Sequence, residues 1–171
     1  MINPHYDIDS GYHDGDLVEQ DARAWLGVWK SIDDVPHRRR LQQCAHDLDA
    51  DKAWSEFCEE YGEDWTESTR KYQYGKAWRE WTTYCEQHGV QRLCPDPSDI
   101  EDHLVEQRSE AASDSTLHQT RFRPLCRLFE YLRYSTAYPH QYNPTIMAVL
   151  FGGAAHAAWR DRISTRLPES Y

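Results

Sequence analysis

Apolar residues recur at intervals of three and four along much of the chain, the period of helices that bury one face. Over residues 66–89, Tyr74, Trp78, Trp81, Cys85 and His88 fall on one side, with Tyr84 at its edge, and Lys76, Arg79 and Thr83 fall on the other. This spacing predicts a helix whose aromatic row is core. The hydroxyls of Thr66-Glu67-Ser68-Thr69 suit its start, where amides lack partners within the helix, and Gly89 suits its end. Pro97-Ser98-Asp99 predicts a shorter helix through Ile100, Leu104 and Val105 to about Arg108, with Asp99 and Glu101 near its electropositive end. A last major helix is expected from a Ser115 cap, burying Phe122, Leu125, Phe129 and Leu132 and turning Thr116, Thr120, Arg123 and Arg127 the other way. Pro124 interrupts it. Its missing amide predicts a kink or a restart at the preceding turn, which leaves Arg121 hard to place.

Upstream, Leu17, Ala22, Trp25, Leu26 and Trp29 predict a short amphipathic helix over 16–32, and a second helix is expected over 36–61. Residues 1–14, rich in turn formers, read as a loose tail. Beyond Pro139 and Asn143-Pro144, a short helix is expected over 145–150, a break at Gly152-Gly153, and another helix from 154 to about 165. The apolar run 146–151 has to pack somewhere. Lys52-Ala53-Trp54 returns as Lys76-Ala77-Trp78, but one echo without a sustained period is no repeat. The pattern predicts an all-α protein: a tail (1–14), an N-terminal helical extension (15–62), a helical bundle (63–144) and short C-terminal helices (145–171).

Composition narrows the class. With 171 residues, seven Trp, eleven Tyr and four Phe, the chain suffices for one compact domain, or one domain with a helical extension. It has no apolar run near the roughly 18 residues of a membrane span, and Met1-Ile2-Asn3-Pro4-His5 lacks signal-peptide character, so a soluble, cytoplasmic protein without a membrane partner is expected. Five cysteines without a Cys-x-x-Cys pair predict reduced thiols. A net charge of -10 counts against a nucleic-acid partner, yet its distribution is uneven. Residues 1–104 carry 23 Asp/Glu against 11 Lys/Arg, and residues 105–171 carry 6 against 8. Only four of the 19 basic residues are Lys, a balance that looks like proteins of salt-loving archaea. At about 1 M salt the Debye length is roughly 3 Å, so a distant acidic face would repel DNA weakly.

In order along the chain come a hydroxyl start with Tyr72 or Tyr74 one turn on, the aromatic row, His88-Gly89, Asp99-Ile100 with His103-Leu104, Arg127-Leu128-Phe129-Glu130-Tyr131-Leu132, and Asn143-Pro144. Together these resemble the SAM-like core-binding domain that precedes the catalytic domain in phage-integrase (tyrosine recombinase) proteins. The resemblance covers about 80 of the 171 residues, and Pro124 and the acidic extension depart from it. It implies a SAM-like orthogonal bundle that clamps one side of double-stranded DNA. A row of Arg and Thr opposite a buried stripe can follow a phosphate backbone, which makes Lys76, Arg79, Thr116, Thr120, Arg123 and Arg127 the candidate DNA-binding residues. An ordinary solvated helix face would show the same row. Arg38, Arg39 and Arg40 form a second cluster that suits salt bridging as well as phosphate.

In that family the chemistry belongs to a separate catalytic domain with a basic, His-containing constellation and a Tyr nucleophile, for which this chain has no room. His156 and Arg160 stand four apart, against the family's spacing of three, and Tyr171 is the last residue. Cys85, His88 and Cys94 lack an evident fourth zinc ligand, and neither a Gly-rich phosphate loop nor a Gly-x-Ser-x-Gly elbow occurs. No catalytic residue, metal, cofactor or small-molecule substrate is expected. The expected function is non-catalytic DNA binding, as an accessory or regulator of integration and excision in a virus or mobile element of a halophile, with duplex DNA and a recombinase or a second copy as partners. The alternatives are the DNA-binding part of a full recombinase, or a virion or interaction protein that self-associates through residues 146–151. A halophilic origin predicts that circular dichroism will record unfolding on dialysis from molar salt into dilute buffer; full stability in dilute buffer would contradict it.

Overall fold

The computed structural model describes residues 29–164, with side chains described to residue 161, and all regular structure among them is helical. The expected helix over 16–32 and the tail over 1–14 lie outside the described residues, apart from the last few positions of the former. Three short 3-10 turns, Ile32–Asp34, His37–Arg39 and Leu41–Asp47, lead into α1, Ala50–Tyr61. The single helix expected over 36–61 is therefore broken. Arg40 and Leu48 adopt extended backbone, and the Asp49 carboxylate accepts from the amides of Asp51 and Lys52 at 3.0 Å, starting a new helix there.

After α1 the chain turns at Gly62 and enters a π-helical segment, Thr69–Tyr74, that runs directly into α2, Gly75–His88. Thr66 caps this element as its sequence predicts, its hydroxyl accepting from the Thr69 amide at 3.1 Å. Gly89 closes α2 with φ 68°, a left-handed conformation that a Cβ would strain. α3, Pro97–Glu110, begins where the Asp99 carboxylate accepts from the Asp96 amide at 2.8 Å. The next helix starts at Ser113 rather than Ser115, because the Ser113 hydroxyl accepts from the Thr116 amide at 3.1 Å. It comprises α4, Asp114–Leu117, a second π segment, His118–Phe122, and α5, Arg123–Tyr134. Pro124 explains the middle piece: it has no amide to give, so the ladder widens before it and resumes with proline in the first turn of α5. α6, Pro144–Val149, is capped by Asn143, and α7, Ala154–Ser164, follows Gly152 and Gly153 at φ 82° and 86°. Both carboxylate oxygens of Glu101 accept from α7's first amides, Ala154 at 2.6 Å and Ala155 at 2.9 Å.

One hydrophobic cluster joins these elements, from Trp29 through Leu41, Phe57, Trp81, Ile100, Phe129 and Tyr142 to Ala158. Segments read from sequence as extension, bundle and C-terminal helices thus share a core. Phe57 of α1 sits among the rings of Trp54, Tyr61, Trp65, Tyr74 and Tyr131. The Tyr142 hydroxyl accepts from the Leu41 amide at 3.0 Å, tying the approach to α6 to the N-terminal turns. The stripe of Phe122, Leu125, Phe129 and Leu132 is buried as expected, and so are Tyr74, Trp78, Trp81 and Cys85.

His88 departs from the expected core row. It is exposed in the last turn, where its ring stacks 4.1 Å from that of Tyr84 and Tyr84 takes the buried place. The run 146–151 divides: Met147, Ala148 and Val149 pack inward while Ile146, Leu150 and Phe151 remain exposed. Because Phe57 belongs to the common core, Phe57→Ala is expected to cost about 3–5 kcal/mol in a single cooperative urea transition. Two transitions, with the α2 to α5 signal unchanged, would show that α1 folds as an appendage.

Candidate nucleic-acid interface

The two π-led elements carry a charge balance opposite to that of the chain. Residues 69–88 and 114–134 together hold eight of the 19 Lys/Arg and only four of the 29 Asp/Glu. α3 alone carries Asp99, Glu101, Asp102, Glu106 and Glu110 against Arg108. The basic elements cross with their π segments packed against each other, and α2 lies against α5.

At the crossing sits Arg121, only 4 % exposed although fully charged. Its Nη2 donates to Glu80 Oε1 at 3.0 Å, its Nη1 to the Thr120 hydroxyl at 2.5 Å, and its Nε to Gln107 Oε1 at 3.3 Å. Glu80 Oε2 also lies 2.9 Å from Nε yet receives no directed hydrogen bond. The Nε–H points toward Gln107, so this second contact is charge attraction. Lys76 approaches the same carboxylate from the preceding turn, Nζ to Oε1 3.7 Å. One carboxylate therefore lies between two cations, and residues of α2, α3 and the second π segment share a partly buried polar centre.

Beside that centre, His103 of α3 is fully buried against Trp81 and Tyr84, at ring separations of 5.2 and 5.1 Å. Among the described residues neither ring nitrogen has a hydrogen-bond partner. Burial, reinforced by the charges of Arg121 and His88, pushes its pKa down to about 4, so the imidazole stays neutral. His140 is likewise buried, its Nε2 2.7 Å from the Leu93 carbonyl, and burial lowers its pKa to about 4.

The sequence-selected residues are positioned unequally. Arg79 and Arg123 are exposed, and among the described residues their guanidinium groups make no ion pair or hydrogen bond. Arg127 is half-buried with Nη1 3.4 Å from the Tyr74 hydroxyl, which places it at the junction of the first π segment with α2. Lys76 keeps about half its side chain in solvent beside Glu80. Thr120 donates to the Thr116 carbonyl at 2.7 Å and accepts from Arg121, and Thr116 shares a hydrogen bond with Ser113. Both hydroxyls are thus engaged in bracing their own helix, whereas the guanidinium groups face outward. Arg79 also lines an open cleft of about 200 Å³ between α2 and α3, together with Thr83, Tyr84, Gln87, Glu106 and Gln107.

The second cluster holds the N-terminal turns in place. Arg39 donates to Gln141 at 2.9 Å and Arg40 to the Val35 carbonyl at 3.1 Å. Cys85 and Cys94 are buried, with thiols pushed up to about 12 chiefly by burial, and His88 instead lies against Tyr84. Among the described residues no three His, Cys, Asp or Glu side chains converge on a metal position. Sequence reasoning missed the partnership of Glu80, Gln107 and Arg121, whose only signal was an arginine made hard to place by Pro124. No protein-family model, curated protein or solved structure matches this chain.

The two neutral histidines set a pH dependence. Each binds protons more weakly folded, at about 4, than unfolded, at 6.5. Their contribution is present above pH 6.5 and is lost as pH falls toward 4. Urea denaturation at pH 8 and pH 5 should differ by about 2 kcal/mol per histidine, and His103→Leu should remove about half of that difference. Equal stability at both pH values would contradict the burial of neutral imidazoles.

Proposed function

We propose that this protein is a non-catalytic DNA-binding module, an accessory or regulator of site-specific recombination of the kind the core-binding resemblance implies. Its contact face consists of Lys76, Arg79, Arg123 and Arg127. The observation that carries the reading is the charge polarity of the fold: basic residues concentrate on two crossing helices of an otherwise acidic protein. Among the described residues Arg79 and Arg123 have no acidic partner to give up, so a phosphate gains their charge without breaking a described pair. The acidic α3 and α1 discourage phosphate elsewhere, which orients a duplex toward one side.

A second reading rests on Ile146, Leu150 and Phe151, exposed at the end of α6, which suit self-association of an interaction or virion protein. A concentration-dependent dimer that binds no DNA would favour it.

The test is a salt series of binding to duplex fragments from the gene's own genomic neighbourhood. Arg123→Ala/Arg127→Ala should weaken binding by about 10- to 100-fold and reduce the slope of log K against log salt by about 2. Lys52→Ala, on acidic α1, should change little. Wild-type protein that binds no fragment at any salt concentration would overturn the proposal.

A further inference from the structure

We infer that the ligand of the basic face is DNA with an unpaired, single-stranded segment, whose bases stack on Tyr72 and Tyr134. The inference rests on the DNA-binding reading and narrows its ligand. Among the described residues, the basic elements 69–88 and 114–134 expose only two large apolar side chains, and both are tyrosines. Tyr72 is 59 % exposed and Tyr134 67 %, whereas the other aromatics of these elements, Trp81 and Phe129 among them, are buried. Each exposed ring carries a cation beside it. Lys71 Nζ lies 5.2 Å from the Tyr72 ring centroid, and Arg133 Cζ lies 4.7 Å from that of Tyr134, with Nη2 donating to its hydroxyl at 2.7 Å.

The exposed apolar side chains elsewhere lack this combination. Val105, Ile146 and Leu150 have no ring, among the described residues no cation lies over Phe151, and Tyr61 is held edge-on by Tyr131 at 5.8 Å. A clamp on intact duplex has no use for two rings in water, because paired bases already stack on one another and present only their edges and phosphates. Unpaired bases present flat faces. A cation over one face of a tyrosine leaves the other for a base and places positive charge within reach of the adjoining phosphate. Stacking of this kind tolerates any sequence, since every base has a π-face.

The test is fluorescence anisotropy with a labelled mixed-sequence DNA oligonucleotide, its blunt duplex, the same duplex bearing a single-stranded tail, and the oligonucleotide as RNA. Wild-type protein should bind the tailed and single-stranded DNAs more tightly than the blunt duplex. Tyr72→Leu/Tyr134→Leu should lose about 10-fold or more on single-stranded DNA and less than about twofold on blunt duplex, and Tyr72→Phe/Tyr134→Phe should retain wild-type binding. Thermal midpoints of both variants should match the wild type, as both rings are exposed. Wild-type affinity in the leucine variant, or an equal loss on every DNA, would overturn the inference. Tighter binding to RNA would overturn the assignment to DNA. If the Arg123→Ala/Arg127→Ala variant loses duplex binding while the tyrosine variants match wild type on all DNAs, DNA binding stands and stacking fails; if wild type binds no nucleic acid, both fail.

Discussion

The contact between Glu80 and Arg121 holds the crossing on which the other elements are arranged. Removing a guanidinium from water costs several kcal/mol unless its donors are met, and here they are met by a carboxylate from α2, an amide oxygen from α3 and a hydroxyl from its own π segment. Each partner comes from a place fixed by other means: Glu80 one turn past Lys76 in α2, and Gln107 on the helix that also buries His103. Arg121 itself turns inward because the ladder widens ahead of Pro124, and that widening is where the two π segments meet. A proline that would break an isolated helix thus aims a charge into the crossing. The same crossing leaves Arg79 and Arg123 outward and brings Arg127 to Tyr74.

Local signals made much of this legible. The aromatic row of α2, the Phe122 to Leu132 stripe, the Thr66 start and the Gly89 stop each depend on residues within a turn or two, and each stands where its period or cap puts it. The misses needed distant residues or a competing local bond. Ser113 rather than Ser115 caps α4, because the hydroxyl three residues before Thr116 meets its amide. The 36–61 helix breaks where Arg40 and Leu48 turn extended, and Asp49 then caps a new start. His88 shares the period of the core row, yet the core ends one turn earlier, and periodicity contains nothing about where the opposite wall stops.

The candidate site divides along the same line. Exposure of Arg79 and Arg123 follows from helical spacing. Engagement of Thr116 and Thr120 within their own helix does not, because it depends on Arg121 and Ser113 being placed to bond them. A net charge of -10 obscures a fold that segregates its charges, with carboxylates concentrated on α1 and α3 and guanidinium groups on the crossing helices. Under the proposed function, such segregation would orient a polyanion before any contact forms, and the effect would weaken as salt shortens the range of the field.

The most direct measurement is a double-mutant cycle on the Glu80–Arg121 pair, read by chemical denaturation of Glu80→Met, Arg121→Met and the combination. If the pair holds the crossing, Glu80→Met strands the buried Arg121 guanidinium and costs about 3–5 kcal/mol, Arg121→Met costs less because Glu80 is 21 % exposed and keeps Lys76, and the double variant recovers a large part of the Glu80→Met loss. A Glu80→Met cost under about 1 kcal/mol, or losses that simply add, would contradict a crossing organised by this contact.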